Sequence, residues 1–182
     1  MEESMAGPGM DKTISYMREA ILEAKAALSE GEIPVGAVIV REGEIIGRGH
    51  NTTEQDGDPT AHAEINAIRQ AGKHLRETLN WRRLSGCELY VTVEPCSMCA
   101  GALVWARVDS IVAGVADPKA GGCGSVLNII AEERLNHQVR YRELDECPEK
   151  DQCRDMLQDF FRELRTKPKW QNRHITSEEN IK

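Results

Sequence analysis

The sequence predicts a single α/β layered domain. Three observations carry this. Short β-branched runs alternate with stretches of helical spacing, the pattern of a sheet flanked by helices. The 182 residues suit one domain with short tails. Hydrophobic residues make up 40% of the chain, enough for one core, and no internal repeat or second domain is visible.

The elements follow in order. Residues 1–10 read as a disordered leader, because Gly7-Pro8-Gly9 breaks structure. Residues 11–30 predict a helix with Ile14, Met17, Ile21, Ala24 and Leu28 on one stripe, ended by Gly31. Val35–Val40 and Glu44–Gly49 predict a β-hairpin about Glu42-Gly43, a weaker turn signal than Asn-Gly. Thr52–Asp58 is a polar loop. Asp58 predicts an N-cap and Pro59 a first helical residue, for a helix that carries His62 and closes at Gly72. Cys87–Val93 predicts a strand stopped by Pro95. Ser97–Arg107 predicts a helix, Ser110–Val115 a strand, and Asp117–Gly124 a glycine-rich loop. Residues 151–165 predict an amphipathic helix with Met156, Leu157, Phe160, Phe161 and Leu164 inward. The domain proper thus spans 11–166, and 167–182 is a polar, basic tail.

Composition excludes several classes. No stretch approaches the roughly 20 apolar residues of a membrane span, so no membrane partner is expected. The start, Met1-Glu2-Glu3-Ser4, is acidic with no apolar run behind it, so no secretory signal is visible. A cytoplasmic setting is expected. There, six cysteines are metal ligands, catalytic groups or buried fillers more often than disulfides. The net charge of −7 does not advertise a nucleic-acid binder, so such a partner must meet a local basic patch.

The informative residues are His62-Ala63-Glu64 and Pro95-Cys96-Ser97-Met98-Cys99. Cys-x-x-Cys lets two thiolates reach one ion from a helix start, where the dipole also lowers thiol pKa values. His62 supplies a third ligand. Three protein ligands on zinc leave the fourth tetrahedral position for water, whose pKa then falls toward neutrality. Glu64 lies two positions on, about 200° around a helix, and is a base for that water rather than a ligand. A structural four-ligand site remains open, recruiting Cys87, Cys123, Cys147 or Cys153.

The pattern H-x-E…P-C-x-x-C is the signature of zinc nucleobase deaminases. Within the cytidine/deoxycytidylate deaminase superfamily, the chain resembles the bacterial tRNA-specific adenosine deaminases. The resemblance runs through Glu32-Ile33-Pro34-Val35-Gly36-Ala37-Val38, Asp58–Glu64, Tyr90–Ala102, Asp117–Gly122, Leu135–Val139 and Phe160-Phe161-Arg162. It implies a three-layer, cytidine-deaminase-like fold with a five-stranded mixed sheet flanked by helices. It implies a homodimer with one zinc per subunit, held by His62, Cys96 and Cys99, with Glu64 as proton shuttle. The reaction implied is hydrolytic deamination of adenosine to inosine at the wobble position of a tRNA anticodon. Asn51, Asp117, Val35 and Val93 are implied to meet the substrate. The plainer readings are a turn residue for Asn51 and a turn cap for Asp117. His74 and His137 carry no assigned chemistry.

The basic groups are concentrated. Arg162, Arg165, Lys167, Lys169 and Arg173 crowd one stretch, and Arg82 and Arg83 another. The first set is expected to bind the tRNA anticodon loop, against the plainer reading of a solvated tail. Glu54-Gln55-Asp56-Gly57-Asp58, by contrast, is acidic beside the expected site. Consecutive Leu103, Val104 and Trp105 exceed one buried stripe, which points to a dimer or to a helix covered on both sides. Two rival readings stay open: a deaminase of a free base or nucleoside, and a non-catalytic zinc-stabilised binding module.

Overall fold

The computed structural model describes residues 8–81 and 83–166, with side chains from Asp11 onward. Helix α1, Pro8–Ser29, begins three residues before the predicted start. Pro8 ends no helix there, because a proline in a first turn forfeits no intrahelical bond. The rest of the expected leader, 1–7, lies outside the described residues. Strands β1, Gly36–Arg41, and β2, Glu44–His50, form the hairpin. Glu42 and Gly43 both take positive φ, 53° and 87°, as a two-residue primed turn requires. A single turn, α2, Thr53–Asp56, follows. Then come α3 (Ala63–Leu79), β3 (Cys87–Val93), α4 (Ser97–Ala106), β4 (Ser110–Val115), β5 (Arg140–Glu143) and α5 (Pro148–Thr166).

The sheet order is β2-β1-β3-β4-β5. β1 is antiparallel to β2 and β3, and β3, β4 and β5 are parallel. The five-stranded mixed sheet is therefore as the resemblance implied. β5 was not readable from residue pattern: Arg-Tyr-Arg-Glu is a four-residue edge strand with no apolar run.

The period of two along each strand splits the core into two layers. Ala37, Ile39, Leu89, Val91, Ile111 and Ala113 face α3 and α4. Val38, Val40, Tyr90 and Val112 face α1 and α5. Helix α3 lies against β2 through Ala63, Ala67 and Ala71. It lies so close that a Cβ on Gly49 would sit 2.5 Å from the Ala67 nitrogen.

Three expectations need correction. Leu28 is 42% exposed, while Ala27 is fully buried in its place, because α1 presents only a narrow seam to the sheet. Gly72 does not close α3, which runs on until Asn80 takes a left-handed φ of 54°. Its Leu75 is packed in the core, so tertiary burial outweighs the local cost of a mid-helix glycine. In α5 the buried residues are Glu149 and Cys153, whereas Met156, Leu157, Phe160, Phe161 and Leu164 are only half-buried. Cys153 packs onto Gly114 of β4. The later part of α5 instead runs beside the cavity described next.

Candidate active site

His62 is delivered by a turn, not from inside a helix. The Asp58 carboxylate accepts hydrogen bonds from the Thr60 amide at 2.8 Å and the Thr60 hydroxyl at 2.7 Å. The Thr60 hydroxyl first, then its amide, hold the Asp58 carboxyl below its ordinary value. Asp58 thus caps a turn over Pro59 and Thr60, and the helix starts four residues later than predicted. His62 occupies the N-cap place with extended backbone, φ −74° and ψ 155°, and makes no side-chain cap bond. Its ring is free for the site. Glu64 falls in the first turn of α3 and is 3% exposed.

The cysteines come from the start of α4. β3 ends at Val93, and Cys96 is the N-cap, with φ −68° and ψ 173°. Cys99 lies in the first turn and is fully buried. The Nδ1 of His62 stands 3.7 Å from Sγ of Cys96 and 3.6 Å from Sγ of Cys99. The donor atoms of His62, Cys96 and Cys99 all lie within 4.8 Å of one another, the one such cluster among the described residues. A tetrahedral zinc bound at about 2.3 Å to sulfur and 2.0–2.1 Å to nitrogen puts those two ligands about 3.6 Å apart. The donor set therefore fits zinc. Cys87, Cys123, Cys147 and Cys153 are free thiols outside the cluster.

The Cys99 thiol donates to Cys96, and that bond, with His62 beyond it, brings Cys96 down to about 4. Cys99 keeps its proton, raised by the same bond and by burial. The hydrogen bond to Cys96 raises His62, against burial. Burial pushes the Glu64 carboxyl up to about 7, so both of its protonation states are accessible near neutral pH.

The cluster opens on a cavity of about 1250 Å³. His62, Glu64 and Cys96 line its floor; Val35, Asn51, Val93 and Asp117 line its walls. All four residues expected at the substrate thus meet at one site. Asn51 donates from Nδ2 to Glu32 at 2.9 Å and to the Thr53 hydroxyl at 3.0 Å. Asp117 caps a turn as well as lining the wall: its Oδ1 accepts from the amides of Lys119 and Ala120 at 2.9 and 3.2 Å. Arg162 and Arg165 reach the same cavity from α5, with Arg162 also paired to Asp159 at 2.6 Å. Lys167, Lys169, Arg173 and Arg82 lie outside the described residues. His137 bonds the Val108 carbonyl at 2.7 Å and has a structural place.

Sequence reasoning missed two buried carboxylates. Glu32 accepts from Asn51, from Thr53 and from the amides of Glu54 and Gln55, both at 2.8 Å. Glu94 accepts from the Asp117 and Cys123 amides at 2.9 Å, the Ser125 amide at 3.1 Å and the Ser125 hydroxyl. Burial raises its carboxyl, but these donors, led by the Ser125 hydroxyl, outweigh burial and hold it below its ordinary value. For Glu94 the signal was a charged residue closing an apolar strand before a proline.

The comparisons agree with this geometry. The family model of MafB19-like deaminases matches residues 10–165. The tRNA-specific adenosine deaminase of Bacillus subtilis is 48% identical over 161 residues, spanning 88% of this chain and 96% of that one. The chain belongs to the tRNA-specific adenosine deaminase family. The member from Aquifex aeolicus is 47% identical over 152 residues, spanning 82% and 94% of the two chains. A solved structure from work on A-to-I editing by tRNA:A34 deaminases superposes with a TM-score of 0.71 at 36% identity, covering 79% of this chain and 99% of that one.

Proposed function

We propose that this chain converts adenosine to inosine at the wobble position of a tRNA anticodon, using one zinc per subunit held by His62, Cys96 and Cys99. The observation that carries the reading is the three-donor cluster opening on a cavity with Glu64 buried beside it. Zinc, when bound, supplies Lewis-acid activation of water. Glu64 takes the water's proton and passes it to adenine N1, which makes C6 electrophilic. The water oxygen forms the new bond to C6; Glu64 then takes the second proton from that oxygen and hands it to the C6 amino nitrogen, and the C–N bond breaks to release ammonia and leave inosine. Val35 and Val93 offer apolar walls to the base. Asn51, with Nδ2 engaged by Glu32, presents its carbonyl oxygen as an acceptor.

Two features favour an RNA loop over a free base. The cavity is far larger than one base, and Arg154, Arg162 and Arg165 stand along it. Within RNA, an unpaired loop is the cheapest place to extrude an adenine, at about a few kcal/mol. Purified protein offered an anticodon stem-loop, free guanine, free cytosine and adenosine should release ammonia from the stem-loop and leave inosine at the wobble position. Turnover of a free base with the stem-loop untouched would instead establish the free-base reading. Six cysteines outside any disulfide and a tRNA substrate suit the reducing cytoplasm.

A homodimer completes the reading. Leu103 and Val104 are buried, but Trp105 is 73% exposed, so α4 is not covered on every side within one subunit. A tryptophan so placed suits the centre of an interface with a second copy.

A further inference from the structure

We infer that Glu94 is a positioning residue: its buried carboxylate clasps both ends of the 117–125 loop and so sets the wall that meets the RNA. Its four donors come from the two ends of one loop. The Asp117 amide is at the start, and the Cys123 amide and both Ser125 donors are at the finish. The middle of the loop lies over the carboxylate. A Cβ on Gly121 would fall 2.6 Å from Oε1 of Glu94, so only glycine lets the loop close so tightly. The Gly122 amide also bonds the Pro95 carbonyl at 2.8 Å. The loop is therefore wrapped on the Glu94-Pro95 turn, and its outward residues Asp117, Lys119 and Ala120 line the cavity.

A carboxylate does this where an amide would not. All four contacts are donors, and a carboxylate only accepts. A glutamine side chain in its place would set an N–H₂ against at least one of those donors. With the loop loosened, contacts common to bound substrate and transition state weaken, while Glu64 and the metal ligands stay in place. That is a loss of uniform binding, which raises KM and spares kcat.

The test rests on the functional reading, and its two readouts separate the two claims. Glu94→Gln should bind one zinc and raise KM for an anticodon stem-loop about tenfold, with kcat changed less than about threefold, as for loss of a charge-assisted bond. Its Asp117, Cys123 and Ser125 amides should exchange at least tenfold faster than in the native protein. Gly121→Ala, which drives a methyl onto the same carboxylate, should move KM the same way. The double variant should be no worse than the worse single one, since both break one contact. Ser125→Ala, which removes only the hydroxyl donor, should raise KM by a smaller factor and keeps the test open if Glu94→Gln does not fold. A fall in kcat at constant KM, loss of zinc, additive effects or unchanged amide exchange would each overturn the clasp. Failure of the native protein to deaminate the stem-loop would overturn the functional reading instead, and the exchange pattern would still decide the clasp.

Discussion

At the residue scale, the site divides into ligands, base and supports. Cys96→Ala and Cys99→Ala each remove one of three donors, and among the described residues no other cysteine belongs to the cluster to replace it. Both variants should lose metal in elemental analysis, and full occupancy in either would break the ligand assignment. Glu64→Gln keeps the shape of a buried side chain and should fold with zinc bound. Its rate should fall by at least the 10²–10⁴ typical of a general acid–base group, because the proposed mechanism has Glu64 move more than one proton. A loss under about tenfold would assign the protons elsewhere. The three-donor cluster was legible because its chemistry is local: Cys-x-x-Cys spacing and a histidine after a proline turn. Glu32 and Glu94 were not. Each gains its role from amides 19 to 31 residues away in sequence, and no spacing rule links them.

At the element scale, the fold is set by close approach of backbones. β2 meets α3 across Gly47 and Gly49, facing Ala63, Ala67 and Ala71. Gly49→Ala should cost about 2 kcal/mol or more as overpacking, or about 4–8 °C in melting temperature for a chain of this size. The extra methyl has backbone on its far side, so nothing flexible can yield. An unchanged melting temperature would show that α3 can move away. The hairpin was legible from its turn residues and β-branched strands. The start of α3 was not, because Asp58 and Pro59 serve a turn equally well, and Thr60 decides between them by donating twice to Asp58. The inner face of α5 was legible as apolar but not as a cavity wall. Periodicity gives the face of a helix, not what stands opposite.

At the scale of the whole molecule, the chain must attract RNA while carrying a net charge of −7. The attraction is therefore proposed to be local, along the cavity. Arg162→Ala with Arg165→Ala should weaken stem-loop binding at low salt. If both meet single-stranded phosphates, the log–log salt slope should flatten by about 1.4. Zinc content and the chemical step at saturating RNA should hold. An unchanged slope would place the phosphate contacts elsewhere. Sedimentation at micromolar concentration should give a dimer, and Trp105→Glu should shift it toward monomer. A native monomer would reject the interface.

The three-donor cluster and Glu64 are proposed to edit RNA together. The most direct measurement is a zinc titration of metal-stripped protein, read as inosine formed at the wobble position of a stem-loop. Inosine formation should rise with added zinc and level off at one zinc per chain, and Glu64→Gln should take up the same zinc and stay inactive. Full activity without metal, or an active Glu64→Gln at that plateau, would contradict it.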